Sequence, residues 1–244
     1  MLPPTTTDRL KAELWRRYAS PDHPAEWDGQ HYGGGRLSQR FWEYLRAIEL
    51  LNLDTRSVVL DIGGGSPLTG VGFFSSLLST QAKRVIVMDP SIKPEALAPD
   101  NVEFDRSAAT YDGLRALLVA RPEVTHIVTI SVFEHVEPST REGMTRAINE
   151  FFQGSSFVAT FEYHARTRYF EHALTARTTS DLFKAFTNYY LDDLSASPVW
   201  CENAFDRTRV LRLLNLRRLF TASDTPRWYP LAVRFLRRPA DDLS

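Results

Sequence analysis

The chain has 244 residues, of which 43% are hydrophobic and 24% are charged, and its formal net charge is −1 at pH 7. This length and composition suit one globular domain with a sizeable core. The near-neutral charge gives no electrostatic reason for nucleic acid or an acidic membrane surface to be a main partner, and we expect neither.

Residue usage also bears on the compartment and on metals. The single cysteine, Cys201, excludes an internal disulfide and fits a reducing environment, so we expect a cytoplasmic protein. No stretch approaches the roughly 18 apolar residues of a membrane span, and residues 1–7 lack the basic and apolar regions of a secretory signal. The histidines and carboxylates show no zinc-type spacing, and we expect no metal.

The N-terminal region, residues 1–54, is predicted to form a helical lid. Apolar residues at helical spacing indicate helices over about 8–19, capped by Asp8, and over about 37–51. Between them lies a glycine-rich loop with aromatic and basic side chains, which either closes over a ligand or simply links the helices. The candidate ligand contacts here are Tyr32, Arg36 and Arg40, since an arginine can grip a carboxylate with two hydrogen bonds.

The sequence from residue 57 to residue 78 predicts a strand, a glycine turn and a helix. Residues 58–60 are an apolar run typical of a buried parallel strand. Asp61 and then three consecutive glycines follow it, namely Gly63, Gly64 and Gly65. Glycines allow a sharp bend and the close approach of a ligand, and the next helix begins with free N–H groups of partial positive charge. The alternative is an ordinary glycine-rich turn without a ligand.

A second short strand, over about 83–90, ends in Asp89 and Pro90. Asp89 lies 24 positions after Gly65 (89 − 65 = 24). A carboxylate at the end of the second strand is placed to accept hydrogen bonds from ribose hydroxyls. The alternative is a turn aspartate that precedes a proline.

Strands and helices continue to alternate along the rest of the chain, which predicts a three-layer α/β domain with a mostly parallel sheet. The remaining expected elements are an edge strand over 101–104, a helix over 111–120, a strand over 125–131, a helix over 140–152, a strand over 156–161, a helix over 203–216 and two final strands over 217–222 and 228–237. Residues 55–244 form the expected core.

The segment over about 165–198 is longer than an ordinary connection between a strand and a helix and is rich in aromatic residues. We expect helices near 167–175 and 180–194. Aromatic residues at this density pack a core or line a substrate pocket. We favour a substrate cap over the alternative, a contact between copies of the chain.

Ligands bind parallel sheets of this kind at the carboxyl ends of the strands, where the strand order reverses. The first and fourth strands should flank that point. The polar residues expected there are Ser131, Glu134 and His135 after the fourth strand, and Glu162, Tyr163 and His164 after the fifth. Either histidine could act as a general base, because an unperturbed imidazole has a pKa near 6.5. The alternatives are structural: His135 orients the loop, and Glu134 stabilises a helix N-terminus.

Two ligand types fit a glycine turn followed by a ribose-binding acid. The dinucleotide pattern G-x-G-x-x-G lacks its third glycine here, since Leu68 occupies that position. The pattern Asp61-x-Gly63-x-Gly65, with Asp89 and the segment 134–136 (Glu-His-Val), resembles class I S-adenosylmethionine-dependent methyltransferases of the small-molecule type. The resemblance covers about residues 55–165.

The resemblance implies a Rossmann-like sheet of seven strands that ends in an antiparallel C-terminal hairpin. It also implies methyl transfer from S-adenosylmethionine to a small-molecule acceptor, with oxygen or nitrogen favoured as the methylated atom and carbon open. The implied cofactor contacts are Tyr32, Arg40, Asp61, Gly63, Gly64, Gly65, Asp89, Pro90, Ser107, Ala108 and Ser131, and the implied catalytic residues are His135, His164 and Glu134. The chain departs from the pattern at Pro67, where the family has glycine, and at Ala108, where the family often has an acid near adenine.

Three alternatives stay open at this stage. The chain could bind the cofactor without catalysing a reaction, or use it for another reaction, because such motifs report binding and not turnover. It could be a nicotinamide-dependent oxidoreductase, although the missing glycine argues against it. A nucleic-acid methyltransferase would be expected to carry a basic, aromatic groove, and the balanced charge disfavours it. The sequence is compatible with a homo-oligomer.

Overall fold

A computed structural model describes residues 4–18, 39–65, 70–164, 172, 174–196 and 228–239. The helices are α1 (Thr6–Tyr18), α2 (Gln39–Leu51), α3 (Phe73–Leu78), α4 (Tyr111–Ala120), α5 (Pro138–Phe151) and α6 (Ala176–Ala185). The strands are β1 (Val58–Ile62), β2 (Arg84–Met88), β3 (Val102–Asp105), β4 (His126–Ile130), β5 (Ser156–His164), β6 (Tyr189–Ala196) and β7 (Trp228–Arg237).

The seven strands form one sheet in the order β3-β2-β1-β4-β5-β7-β6. Strands β1 to β5 are parallel to one another, and β7 is antiparallel to both β5 and β6. In β1, Leu60 pairs with Ile86 of β2 on one side and with Ile127 of β4 on the other. The strand order therefore reverses between β1 and β4. The mostly parallel seven-stranded sheet is confirmed, and so is the edge position of β3.

Helices cover both faces of the sheet, because successive side chains of a strand point to opposite faces. Leu60 packs in a cluster with α4, α5 and α6, whereas its neighbour Val59 packs with α1, α2 and α3. All five residues of β1 are buried, as a central parallel strand requires. The predicted three-layer α/β architecture is confirmed.

Helix α1 begins with a reciprocal cap between Thr5 and Asp8. The backbone N–H of Asp8 donates to Thr5 Oγ1 (3.1 Å), and the backbone N–H of Thr5 donates to Asp8 Oδ2 (3.0 Å). The expected cap at Asp8 is therefore wrong: Thr5 caps the helix, and Asp8 lies in its first turn, where the helix dipole favours an acid.

The described part of residues 1–54 belongs to one helix layer. Leu10 and Leu14 of α1 are fully buried, and α2 lies against β4, β5 and β7. Residues 19–38, which hold the expected lid loop with Tyr32 and Arg36, lie outside the described residues. The lid therefore stays a prediction.

The expected helix over 180–194 is wrong beyond Ala185. Residues 189–196 form β6, which pairs with β7. The three-residue spacing of Phe183, Phe186 and Tyr189 suits a helix, but Tyr189 is buried in the core and donates its hydroxyl to the carbonyl of Phe152 (2.9 Å). A tertiary contact thus decides the local structure here.

The expected strand over 217–222, and with it the expected pairing with 228–237, lies outside the described residues; within them, β7 pairs antiparallel with β5 and β6. Residues 197–227 lie outside the described residues, as do the expected helix over 203–216 and most of that over 167–175. The substrate-cap role of the segment over 165–198 stays a prediction. Among the described residues, no helix has the length and apolar character to cross a membrane.

Candidate functional site

The turn after β1 brings the glycines to the carboxyl ends of β1 and β2. The backbone N–H of Gly63 donates to the carbonyl of Met88 at the end of β2 (2.9 Å). Gly63 has φ of +74°, a left-handed conformation that favours glycine. The N–H of Gly72 donates to the carbonyl of Gly64 (2.8 Å), which closes the turn on the start of α3.

Asp61 at the end of β1 holds this turn from beneath. Its side chain is buried, and its Oδ2 accepts a hydrogen bond from Ser75 Oγ of α3 (2.5 Å). Burial raises the pKa of Asp61 to about 7; the Ser75 hydrogen bond opposes this shift, and the nearby carboxylate of Asp89 adds to it. Asp61 Oδ1 has no hydrogen-bond partner among the described residues. The Ser75 contact ties the end of β1 to α3 across the turn.

Asp89 lies directly after β2 and reaches the glycine turn. Its Oδ2 accepts a hydrogen bond from the N–H of Gly65 (3.2 Å), and its Oδ1 accepts from the N–H (2.8 Å) and Oγ (2.6 Å) of Ser91. A Cβ on Gly65 would lie 3.0 Å from the Asp89 carboxyl group, so a side chain there would crowd it. The two motifs that the sequence predicted are therefore in contact, and Pro90 lies exposed beside them.

A similar arrangement ends β3. Asp105 Oδ1 accepts a hydrogen bond from the N–H of Ser107 (2.8 Å). Ser107 and Ala108 are exposed, and they follow β3, the neighbour of β2. The two residues expected near adenine thus lie on the β2 side of the glycine turn.

Ser131 follows β4 on the other side of β1. It is buried and has φ of +52°, which is uncommon for a residue with a side chain. Its N–H donates to the carbonyl of Thr160 (2.9 Å), and its Oγ donates to Oε1 of Glu43 (2.8 Å). Glu43 is fully buried in α2, and the sequence analysis missed it.

Glu43 also pairs with Arg40, whose Nη1 lies 3.0 Å from Glu43 Oε2. The pKa of Arg40 is raised: burial opposes the shift, and the negative charge of Glu43 is its leading favourable cause. The guanidinium of Arg40 is ion-paired with Glu43, and its expected contact with the cofactor stays a prediction. Their three-residue spacing on a predicted helix was the available signal for this pair.

Glu134 is fully buried between the end of β4 and β5. Its Oε1 accepts a hydrogen bond from the N–H of Glu162 (3.0 Å), and its Oε2 has no hydrogen-bond partner among the described residues. Burial raises the pKa of Glu134 well above its ordinary value, and the carboxylates of Glu162 and Glu43 add to the shift. The alternative role as a helix N-terminal acid is wrong, because α5 begins at Pro138 and its cap residue is Glu137.

The two candidate bases differ in environment. His135 is exposed as a residue, but partial desolvation of its ring lowers its pKa; Arg40 adds to this shift and Glu162 opposes it. His164 is buried at the end of β5, with Nε2 3.7 Å from Glu162 Oε2. Within the described ranges, no three histidine, cysteine or acidic side chains converge in a way that could hold a metal.

An apolar groove lies near the carboxyl end of β5. It has a volume of about 480 Å³ and is lined by Tyr163, Phe183, Leu194 and Leu231, with small residues of α6. Tyr163 contributes from β5, two residues after the position that pairs with Leu231 of β7.

Comparison with known proteins bears on the fold. No protein-family model matches the chain, and no curated protein matches it. Solved structures do. A methyltransferase from Anabaena variabilis superposes with a TM-score of 0.53 at 13% identity, over 93% of this chain and 95% of that one. Magnesium protoporphyrin IX methyltransferase from Synechocystis, solved with S-adenosylmethionine bound, gives 0.51 at 11%, over 98% and 100%.

The fold of this chain is therefore that of class I S-adenosylmethionine-dependent methyltransferases. An arsenic(III) methyltransferase from Chlamydomonas reinhardtii shares it, with a TM-score of 0.51 at 14% identity, over 98% of this chain and 76% of that one. The predicted methyltransferase fold is confirmed. At such low identity the likeness concerns the fold alone.

Proposed function

We propose that the protein binds S-adenosylmethionine at the carboxyl ends of β1, β2 and β4 and transfers its methyl group to a small-molecule acceptor. The observation that carries this proposal is the contact between Asp89 and the N–H of Gly65. It joins the acid after β2 to the glycine turn after β1 in a methyltransferase fold, beside the point between β1 and β4 where the strand order reverses. Methylation at oxygen or nitrogen is favoured, and carbon stays open.

The residues present fit such a ligand. Because Gly65 has no side chain, there is space beside the Asp89 carboxyl group. A Cβ on Gly65 would fill part of that space. Asp61 Oδ1 is buried beneath the turn without a hydrogen-bond partner among the described residues. In the proposed complex Gly63 and Gly65 approach the methionyl part, Asp89 accepts hydrogen bonds from the ribose, and the backbone at Ser107 meets the adenine.

The cofactor supplies an activated methyl group on a sulfonium ion. The chain must position the acceptor in line with that group, exclude water and, for a protonated acceptor, take up a proton. His135 suits the proton-accepting role because its lowered pKa keeps the imidazole neutral at pH 7.

The net charge of the chain and an apolar groove support the proposed acceptor class. Methyltransferases of similar fold include a magnesium protoporphyrin IX methyltransferase and an arsenic(III) methyltransferase. The fold alone therefore does not select an acceptor. The net charge of −1 supports a small molecule over a nucleic acid. The apolar groove beside Tyr163 is a candidate surface for it.

The test is calorimetric titration of the purified protein with S-adenosylmethionine, S-adenosylhomocysteine and NAD. We expect the first two to bind and NAD not to bind. Asp89→Ala should weaken S-adenosylmethionine binding about 10-fold to 100-fold, since a hydrogen bond to a charged group contributes about 1.5–3 kcal/mol.

Asp54→Ala is the matched control. Asp54 also accepts a hydrogen bond from the N–H two residues on (Arg56, 2.9 Å), but it precedes β1 at the opposite end of the strand. Its loss should leave cofactor affinity unchanged. Binding of NAD alone, or equal affinity in the wild type and Asp89→Ala, would overturn the assignment. Cofactor binding without transfer of a labelled methyl group to any acceptor would favour a binding domain that is not an enzyme.

A further inference from the structure

Three glutamates from different elements lie close together near the carboxyl ends of β4 and β5. We call these three residues the carboxyl cluster: Glu43 of α2, Glu134 after β4, and Glu162 of β5. The backbone N–H of Glu162 donates a hydrogen bond to Glu134 Oε1 (3.0 Å). The charges of Glu43 and Glu162 both act on the carboxyl group of Glu134. None of the three is adjacent to another in sequence, so the fold has assembled the cluster.

One arginine faces these three carboxyl groups, and its charge acts on all of them. Arg40 faces the cluster, but its ion pair is with Glu43. Arg141 of α5 acts on Glu134 only at a distance, because its guanidinium donates to the carbonyls of Phe133 (2.9 Å), Val136 (3.1 Å) and His172 (2.9 Å). Among the described residues, no lysine or arginine forms an ion pair with Glu134 or Glu162.

Two histidines lie near the carboxyl groups. Partial desolvation of its ring lowers the pKa of His135, which favours the neutral imidazole at pH 7. His164 lies within ion-pair distance of Glu162, with Nε2 3.7 Å from Oε2. Glu134 Oε2 is buried without a hydrogen-bond partner among the described residues. An isolated buried carboxylate is strongly disfavoured, so Glu134 keeps its proton until a cation arrives.

The cluster has an opening to the surface. The side chain of Glu162 is 14% exposed and that of Arg40 is 25% exposed, whereas Glu134 lies beneath them with no exposure. His135 is exposed beside them. A cation that reaches Glu162 from solvent therefore comes into the range of Glu134.

We propose that the carboxyl cluster binds a cationic amino group of the methyl acceptor, so that the acceptor is an amine. The ammonium group docks on Glu162, and Glu134 releases its proton to solvent as it becomes a carboxylate partner. The total charge of the cluster with its ligand is unchanged by this exchange. The assignment of the cation to the acceptor rests on the proposed methyltransferase function.

The test uses methylammonium chloride as the smallest alkyl ammonium probe, with methanol and sodium chloride as neutral and ionic controls. Infrared difference spectroscopy of wild type against Glu134→Gln identifies the protonated carboxyl band of Glu134. We expect the band in the free protein, its loss on addition of methylammonium, and its persistence with either control. By calorimetry, Glu134→Gln should bind methylammonium at least about 10-fold more weakly, because a charge-assisted contact is lost.

Glu137→Gln is the matched control, since Glu137 is an exposed residue three positions away, and it should bind methylammonium as the wild type does. A Glu134 that is ionised in the free protein, or a band that persists with methylammonium, would overturn the proposal. S-adenosylmethionine and its product S-adenosylhomocysteine separate the sources of a cation, since the product lacks the sulfonium charge and keeps the α-ammonium group. Loss of the band with S-adenosylmethionine and not with the product would assign the cluster to the sulfonium, and loss with both would assign it to the cofactor's α-ammonium group. Either result would overturn the acceptor assignment. Failure of S-adenosylmethionine to bind would instead contradict the proposed function, while the methylammonium result would stand by itself.

Discussion

We expect the single residue Asp61 to make the free energy of unfolding depend on pH. Its pKa rises from 3.8 to about 7 on folding, chiefly because it is buried. Between about pH 4 and pH 7 the folded protein therefore holds a proton that the unfolded chain has lost, so the free energy of unfolding falls as the pH rises through this window. The fall is on the order of a few kcal/mol, since each pKa unit is worth about 1.4 kcal/mol.

Asp61→Asn should abolish this fall. The asparagine is neutral at every pH, and its carbonyl can still accept the Ser75 hydrogen bond. We expect the variant to gain stability relative to the wild type as the pH rises from about 4 to 8, measured by urea unfolding. Asp100→Asn, at an exposed loop position, is the control. Parallel curves for Asp61→Asn and the wild type would show that Asp61 does not titrate in this range.

Single residues also show what could and could not be predicted from the sequence. Asp61, Gly65 and Asp89 were predicted because their roles depend on strand ends, which local patterns reveal. The bond between Glu43 and Ser131 joins residues 88 positions apart. The unusual backbone of Ser131 and the burial of Glu43 accompany that bond, and neither has a signature in the neighbouring sequence.

At the scale of elements, α6 and β6 are part of the core. Phe186, at the end of α6, is buried, and its ring centroid lies 4.5 Å from that of Phe235 of β7 and 5.0 Å from that of Phe157 of β5. Phe186→Ala should lower the free energy of unfolding by roughly 3–5 kcal/mol, because it opens a cavity between these rings. Chemical denaturation followed by circular dichroism measures the change.

Leu194→Ala on β6 is the control for Phe186→Ala. Leu194 is 51% exposed, so its loss should cost less than about 1 kcal/mol. If Phe186→Ala cost no more than Leu194→Ala, the segment would be a cap that the core does not need. That result would support the prediction of a substrate cap over about 165–198.

The same elements show why the sequence predicted some of the fold and not the rest. Strands β1 to β5 are short apolar runs that end at glycine, proline or polar residues, and their helices carry apolar residues on one side, so both were predicted to within a few residues. Strand β6 is mostly exposed and carries Asp192 and Asp193 at an irregularity in its pairing. It lacks the alternation of a half-buried strand, and only its pairing with β7 makes it one.

For the whole molecule, the question is whether the N-terminal helices and the sheet unfold together. The apolar clusters on the two faces of the sheet both include residues of β1, with Val59 on one side and Leu60 on the other. A strand that is shared in this way couples the two faces. We therefore expect one cooperative unfolding transition that includes α1, in contrast to a lid that detaches first.

Two leucines test this coupling, one in each helix layer. Leu14 of α1 and Leu114 of α4 are both fully buried, so either change to alanine should cost roughly 2–5 kcal/mol. For a domain of this size, each kcal/mol lowers Tm by about 2–4 °C. We expect both variants to shift the same single transition, with coincident far-ultraviolet and near-ultraviolet circular dichroism. If Leu14→Ala instead created an early transition and left the main one at the wild-type temperature, α1 would be a separate unit. The N-terminal region would then move independently of the sheet, as the lid prediction requires.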